Sequence, residues 1–113
     1  MDSIELARLD DVLKKNAENA EDYLRARKKA AEAKYALDVV IGAGFLSGEL
    51  SEKISYDKAL IITVNEKGLL EVYKDLILQT SVYKGLEKVL EANADQIRWA
   101  QSKMKWQETG EGT

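Results

Sequence analysis

Residues 69–104 read LLEVYKDLILQTSVYKGLEKVLEANADQIRWAQSKM, and Leu69, Leu76, Tyr83, Leu90, Ile97 and Met104 fall seven apart in this stretch. An apolar seam held at that interval predicts a long helix packed lengthwise on another helix. Val72, Leu86 and Ala100 each lie three residues beyond a seam position, and the polar Gln79 and Asn93 share their register. Polar groups at such positions set register or partner number at some cost in stability. The chain has no proline, so the strongest local helix breaker is missing. The helix is expected to run from Leu69 to about Gln107, with residues 108–113 as a disordered tail and residues 1–107 as a single helical domain.

The first third predicts a second long helix. Asp2 or Ser3 can cap its first turn. Apolar residues recur at Leu6, Leu9, Leu13, Ala17, Ala20, Leu24, Ala31, Tyr35 and Val39. Leu13, Leu24, Tyr35 and Leu46 are eleven apart, as are Leu9, Ala20, Ala31 and Gly42. That period predicts a nearly straight or slightly right-handed helix. Alanine, the best helix former, dominates its middle.

Between them, Ser51 and Ser55 can each cap a new helix, and a short one is expected from about Tyr56 to Val64, which a turn at residues 65–68 would end. The β-branched run Leu60–Val64 supports a competing strand, pairing with residues 69–73 as a hairpin. The fold class expected is all-α: an antiparallel long-helix hairpin with a short central helix, assembling into a helical bundle. Each long helix would span about 57 Å, and a lone hairpin buries only one stripe of each. A homo-oligomer is therefore expected, with Leu69, Leu76, Tyr83, Leu90, Ile97 and Met104 as its seam. The acidic start (Asp2, Glu5, Asp10, Asp11) should meet the basic far end (Arg98, Lys103, Lys105).

Composition narrows the chemistry. The 113 residues contain no histidine and no cysteine. Disulfides, zinc-thiolate sites and familiar triads are thereby excluded, and neither catalytic residues nor a metal or other cofactor is expected. The net charge of −3 implies no broad attraction to nucleic acid or anionic lipid. The longest apolar or glycine run, Val39–Leu46, is too short for a bilayer, and the acidic start is unlike a secretion signal, so a cytoplasmic, non-membrane protein is expected.

Three motifs invite chemistry. The stretch Val39–Gly48, VVIGAGFLSG, is similar to a dinucleotide-binding turn. Its glycines are spaced one residue too long, however, and no third strand follows. It reads instead as a helix end with glycines for a bend or close packing. Glu18-x-x-Glu21 is similar to the first half of the acidic motif of all-helical nucleotide pyrophosphohydrolases, whose second half is absent here. Glu87, Glu91 and Asp95 share a face, but Lys84, Lys88 and Arg98 lie beside them at ion-pairing spacing, as on a solvated surface.

Two basic patches are the candidate binding residues. One is Arg25, Lys28 and Lys29, with Arg27 and Lys34 nearby. The other is Arg98, Trp99, Lys103, Lys105 and Trp106. Tryptophan rings among cations can stack on bases and hold phosphates, or contact a protein partner, but the first reading of this patch is structural, sealing the open end of a bundle or forming a dimer contact. The expectation is a protein partner, with nucleic acid or a nucleotide as the alternative.

Ser55-Tyr56-Asp57, Tyr83-Lys84-Gly85-Leu86-Glu87-Lys88 and Gln101-Ser102-Lys103-Met104-Lys105 resemble small helical proteins of phages and prophages of Gram-positive bacteria. The resemblance implies an intracellular, phage-encoded accessory protein that acts in the host cytoplasm. It would bind a host factor or a defence component, or serve DNA metabolism. It supplies no activity and no catalytic residue.

Overall fold

The computed structural model describes residues 2–109. They form three helices: α1 (Ser3–Ser47), α2 (Tyr56–Glu66) and α3 (Leu70–Thr109). No strand occurs among the described residues. Of the expected tail, residues 108 and 109 continue α3, and residues 110–113 lie outside the described residues.

Each helix boundary has a local cause. Asp2 Oδ1 accepts from the Glu5 N–H at 2.8 Å and caps α1. The helix runs through Gly42 and Gly44, then stops at Gly48, whose φ of +82° no β-carbon tolerates well. The Gly48 and Leu50 N–H groups bond back to the Phe45 and Gly44 carbonyls at 3.3 and 3.0 Å. Leu50 folds over the helix end so closely that a β-carbon on Gly44 would lie 2.8 Å from its Cδ1. Close packing is therefore the reason for that glycine.

Ser55 Oγ accepts from the Lys58 N–H at 3.3 Å and starts α2. Gly68, with φ +66°, ends the turn behind it, and the Leu69 N–H returns to the Val64 carbonyl at 3.0 Å. The stretch Leu60–Val64 is helix, not strand, because cap, stop signal and burial agree. Ala59, Thr63 and Val64 all face inward, and packing overrides a weak β preference.

The described residues form two compact units. One, the terminal unit, joins those up to Leu24 with those from Tyr83 onward; Arg25–Val82 form the other, the central unit. In the terminal unit α1 and α3 run antiparallel. Going up α1, Glu5 meets Lys103, Asn16 meets Asn93, and Tyr23 meets Tyr83. The acidic start and basic end do meet, through Glu5 and Lys103, whereas Arg98 pairs with its neighbour Asp95 and Asp10 with Lys14.

In the central unit α1, the loop and α2 close a small core. Ile41, Leu50 and Ala59 are buried together, with Phe45, Ile54, Leu60 and Ile62 packed around them. Leu37 is 0% exposed.

The seam on α3 is as expected from Leu69 to Ile97 but does not extend to Met104. Leu69, Val72, Leu76, Gln79, Tyr83, Leu86, Leu90, Asn93 and Ile97 are half-buried, Ala100 is buried, and Met104 is exposed. The face of α1 differs from the expectation. From Glu5 to Leu37 its shielded positions are Glu5, Leu9, Val12, Asn16, Asn19, Tyr23, Ala26, Ala30, Ala33 and Leu37, with steps alternating four and three, and Ala20 beside them. That is a seven-residue repeat, which matches the repeat on α3. Of the two eleven-residue stripes, one points to solvent, with Leu13, Leu24, Tyr35 and Leu46 all exposed, whereas in the other Leu9, Ala20 and Gly42 are half-buried and Ala31 is exposed.

Asn16 and Asn93 face each other inside the seam, with Asn93 Nδ2 donating to Asn16 Oδ1 at 3.2 Å. A slip of either helix would leave both amides against apolar groups. A double-mutant cycle with alanine, measured by urea unfolding, is expected to give a coupling of about 0.5–1 kcal/mol. Additive single effects would show that the pair does not fix the register.

Candidate functional site

The C-terminal candidates lie on the last turns of α3 in the terminal unit. Trp99 is 63% and Trp106 66% exposed, so neither is a core tryptophan. Lys103 Nζ sits 5.2 Å from the centre of the Trp99 ring, a cation–π distance. The same ammonium donates to Glu5 Oε1 at 2.7 Å, and both side chains are about one-third exposed. Its charge is thus already matched. Arg98 is held by Asp95 at 3.2 Å, and Lys105 is exposed and also engaged.

Trp99 forms one wall of a shallow groove of about 480 Å³. Leu9, Val12 and Ala100 supply its apolar floor, and Glu5, Arg8, Asp95 and Gln96 its polar edge. A surface of this make-up suits an apolar or aromatic side chain from a partner with hydrogen bonds at the margin. It offers no array of free cations for a phosphate backbone.

Arg25, Lys28 and Lys29 are exposed on α1 in the central unit. Lys29 borders a groove whose other charged walls are Glu32, Glu71 and Asp75. That surrounding acidity weakens any anion site there. Among the described residues no cluster of three or more acidic, histidine or cysteine side chains is placed to hold a metal. The glycine-containing stretch forms helix to Ser47, so its amides do not make a phosphate-binding loop.

Of the proposed oligomer seam, Tyr83 has a partner within the chain, and Asn93 beside the seam has another. Tyr83 meets Tyr23 edge-on, with ring centres 6.1 Å apart, and Asn93 meets Asn16.

One cluster escaped sequence reasoning. Asp38 on α1 accepts hydrogen bonds from the Tyr56 hydroxyl and from Lys34 Nζ, the latter at 2.9 Å. Tyr56 and Lys34 hold the Asp38 carboxyl below its ordinary range. The carboxylate in turn pushes the Tyr56 phenol from 10.0 up to about 12. The only available signal was an acidic residue and a tyrosine flanking the loop, which is too common to single out.

The sign of the pH effect follows. The phenol keeps its proton longer when folded, so its contribution is full below about pH 10 and fades toward pH 12. The carboxylate's contribution is present above the ordinary carboxylate range and is lost as pH falls below it. Tyr56→Phe is expected to lower stability near neutrality by about 1 kcal/mol or less, since solvent screens the exposed pair. Unfolding at several pH values should show that difference flat from about pH 5 to 9 and shrinking outside. A difference that persists at pH 12 would contradict the assignment.

No protein-family model matches the chain, and no curated protein or solved structure shows significant similarity to it.

Proposed function

We propose that this chain is a non-enzymatic, self-associating helical protein that acts by binding another protein, of host or phage origin. One observation carries the reading. Both long helices present large apolar side chains on faces turned away from their shared seam: Leu24, Tyr35, Val39 and Leu46 on α1, and Leu78, Val82, Trp99 and Trp106 on α3. Exposed apolar residues concentrated in this way mark contact surfaces. The absence of histidine and cysteine supports a binding role, as does the engagement of Asp95 with Arg98 and of Lys103 with Glu5 in ion pairs. Among the described residues no helix is long and apolar enough to cross a membrane.

Sedimentation equilibrium at micromolar concentration is expected to give a dimer or larger assembly, and a monomer would refute self-association. Trp106→Ala should leave helix content and thermal midpoint nearly unchanged while weakening association or partner capture. A buried tryptophan would instead cost roughly 3–5 kcal/mol. A large fall in midpoint with binding intact would end the contact-surface assignment.

The exposure of Trp99 and Trp106 beside Lys103 and Lys105 favours a second reading, stacking on nucleic-acid bases. A gel shift across salt concentrations tests it, since phosphate contacts give a steep salt dependence.

A further inference from the structure

The groove beside Trp99 has a floor and a rim of different character. Leu9, Val12 and Ala100 make the floor and the Trp99 ring a wall, around a volume of about 480 Å³. Ala100 is buried, whereas Trp99 is largely exposed. The indole is nonetheless held in place. The Lys103 ammonium lies 5.2 Å from its centre, and the Glu5 carboxylate fixes that ammonium at 2.7 Å. An exposed ring already positioned by its neighbours loses little freedom when another group packs on it.

The rim decides what that group carries with it. The charged side chains that line the groove are Glu5, Arg8 and Asp95. Glu5 is matched by Lys103, and Asp95 by Arg98 at 3.2 Å. The Arg8 guanidinium makes no hydrogen bond, ion pair or ring contact among the described residues. Asp11, three residues along α1, neither lines the groove nor bonds to Arg8. With the two pairs closed, one cation is left over at the edge of an apolar surface.

A guanidinium recognises a carboxylate through two parallel N–H donors. A polyanion fits less well, because two carboxylates border the same rim and only Arg8 is uncommitted there. The floor and the indole wall ask for a large apolar or aromatic side chain.

We infer that the groove docks an acidic segment of a partner protein, which lays an apolar or aromatic side chain on Leu9, Val12 and Ala100 against Trp99 and sets an aspartate or glutamate carboxylate on Arg8. The inference rests on the protein-binding reading above and names a surface and the partner's chemistry. Trp99 supplies most of the affinity, and Arg8, at the rim, selects for acid.

The probe is the blocked peptide acetyl-Ser-Asp-Phe-Asp-Ser-amide, titrated to millimolar concentration into the isotope-labelled full chain and followed by its amide and indole N–H resonances. The Trp99 indole should shift together with the amides of Leu9, Val12 and Ala100, with the Trp106 indole as an internal control. Asparagine for both aspartates of the peptide should weaken binding about fivefold on the wild-type chain and change little on Arg8→Gln. Trp99→Ala should weaken it roughly tenfold or more with an unchanged circular dichroism spectrum. No shift at Trp99 overturns the groove as a docking site, whatever sedimentation shows. Equal binding of the aspartate and asparagine peptides overturns the acidic partner. A single-stranded thymidine octamer that shifts the same resonances at lower concentration overturns a protein occupant. A sedimentation dimer that Trp99→Ala abolishes gives the groove to a second copy and overturns a separate partner. Peptide binding by a wild-type monomer supports the groove and overturns only the self-association proposed above.

Discussion

Leu37→Asp is expected to unfold the central unit at room temperature. Leu37 is fully buried. Truncation to alanine alone should cost about 2–5 kcal/mol, set by how far its neighbours can collapse. Aspartate adds a carboxylate at a fully buried position, which costs several kcal/mol more or forces protonation. Small domains are stable by only about 5–15 kcal/mol in total. Circular dichroism of Leu37→Asp should therefore show a large loss of helix, and Leu37→Ala a cooperative urea transition at much lower concentration. A midpoint within error of wild type for Leu37→Ala would show that the core is placed wrongly.

Tyr83→Asp is expected to be the most damaging single change in the terminal unit. The ring packs edge-on against Tyr23 at an interplanar angle of 79°. Such a pair contributes about 0.5–1.5 kcal/mol beyond the area it buries. The aspartate loses both and puts a charge among the seam leucines. Because Tyr83 is only half-buried, part of that charge remains hydrated, and a total of about 2–4 kcal/mol is expected. Tyr83→Phe keeps the ring contact and should stay within about 1 kcal/mol of wild type. Equal unfolding midpoints for Tyr83→Asp and Tyr83→Phe would remove the seam from the account of stability.

The sequence made α3 legible because its inward positions are mostly large and apolar while their neighbours are charged. The same test misleads on α1. There the inward positions include Glu5, Asn16, Asn19 and several alanines, and many of the leucines face outward. With apolar residues on two faces, the more conspicuous period is not the one that packs. Side-chain size marks hydrophobicity, but closeness of approach selects alanine and glycine, and a pattern of large residues cannot register that.

Boundaries were readable where a single residue decides them. Asp2, Ser55 and Gly68 each do so by a cap or a left-handed turn, whereas Gly48, which ends α1, stood among three glycines that the sequence did not tell apart. Gly42 and Gly44 look alike in sequence and differ in cause, since only Leu50, brought back by the loop, distinguishes them.

Of the candidate surface, the nearness of Trp99 to Lys103 follows from their four-residue spacing. That Glu5 takes up the lysine's charge depends on the fold, although the signs of the two ends foretold it. The Tyr56–Asp38 bond depends on where the loop delivers α2, and no local pattern encodes that.

The placement of contacts also orders the events of folding. The bonds that define the central unit join residues near in sequence: 18 apart for Tyr56 and Asp38, and fewer for Leu50 and Gly44. Those of the terminal unit join residues 77 apart for Asn93 and Asn16, and 98 apart for Lys103 and Glu5. Closing a long loop in an unstructured chain costs entropy before any contact repays it. Once Arg25–Val82 has condensed, the effective loop between the two chain ends becomes short. Folding is therefore expected to start in the Gly48–Gly68 region, with the Glu5–Lys103 pair expected to form late.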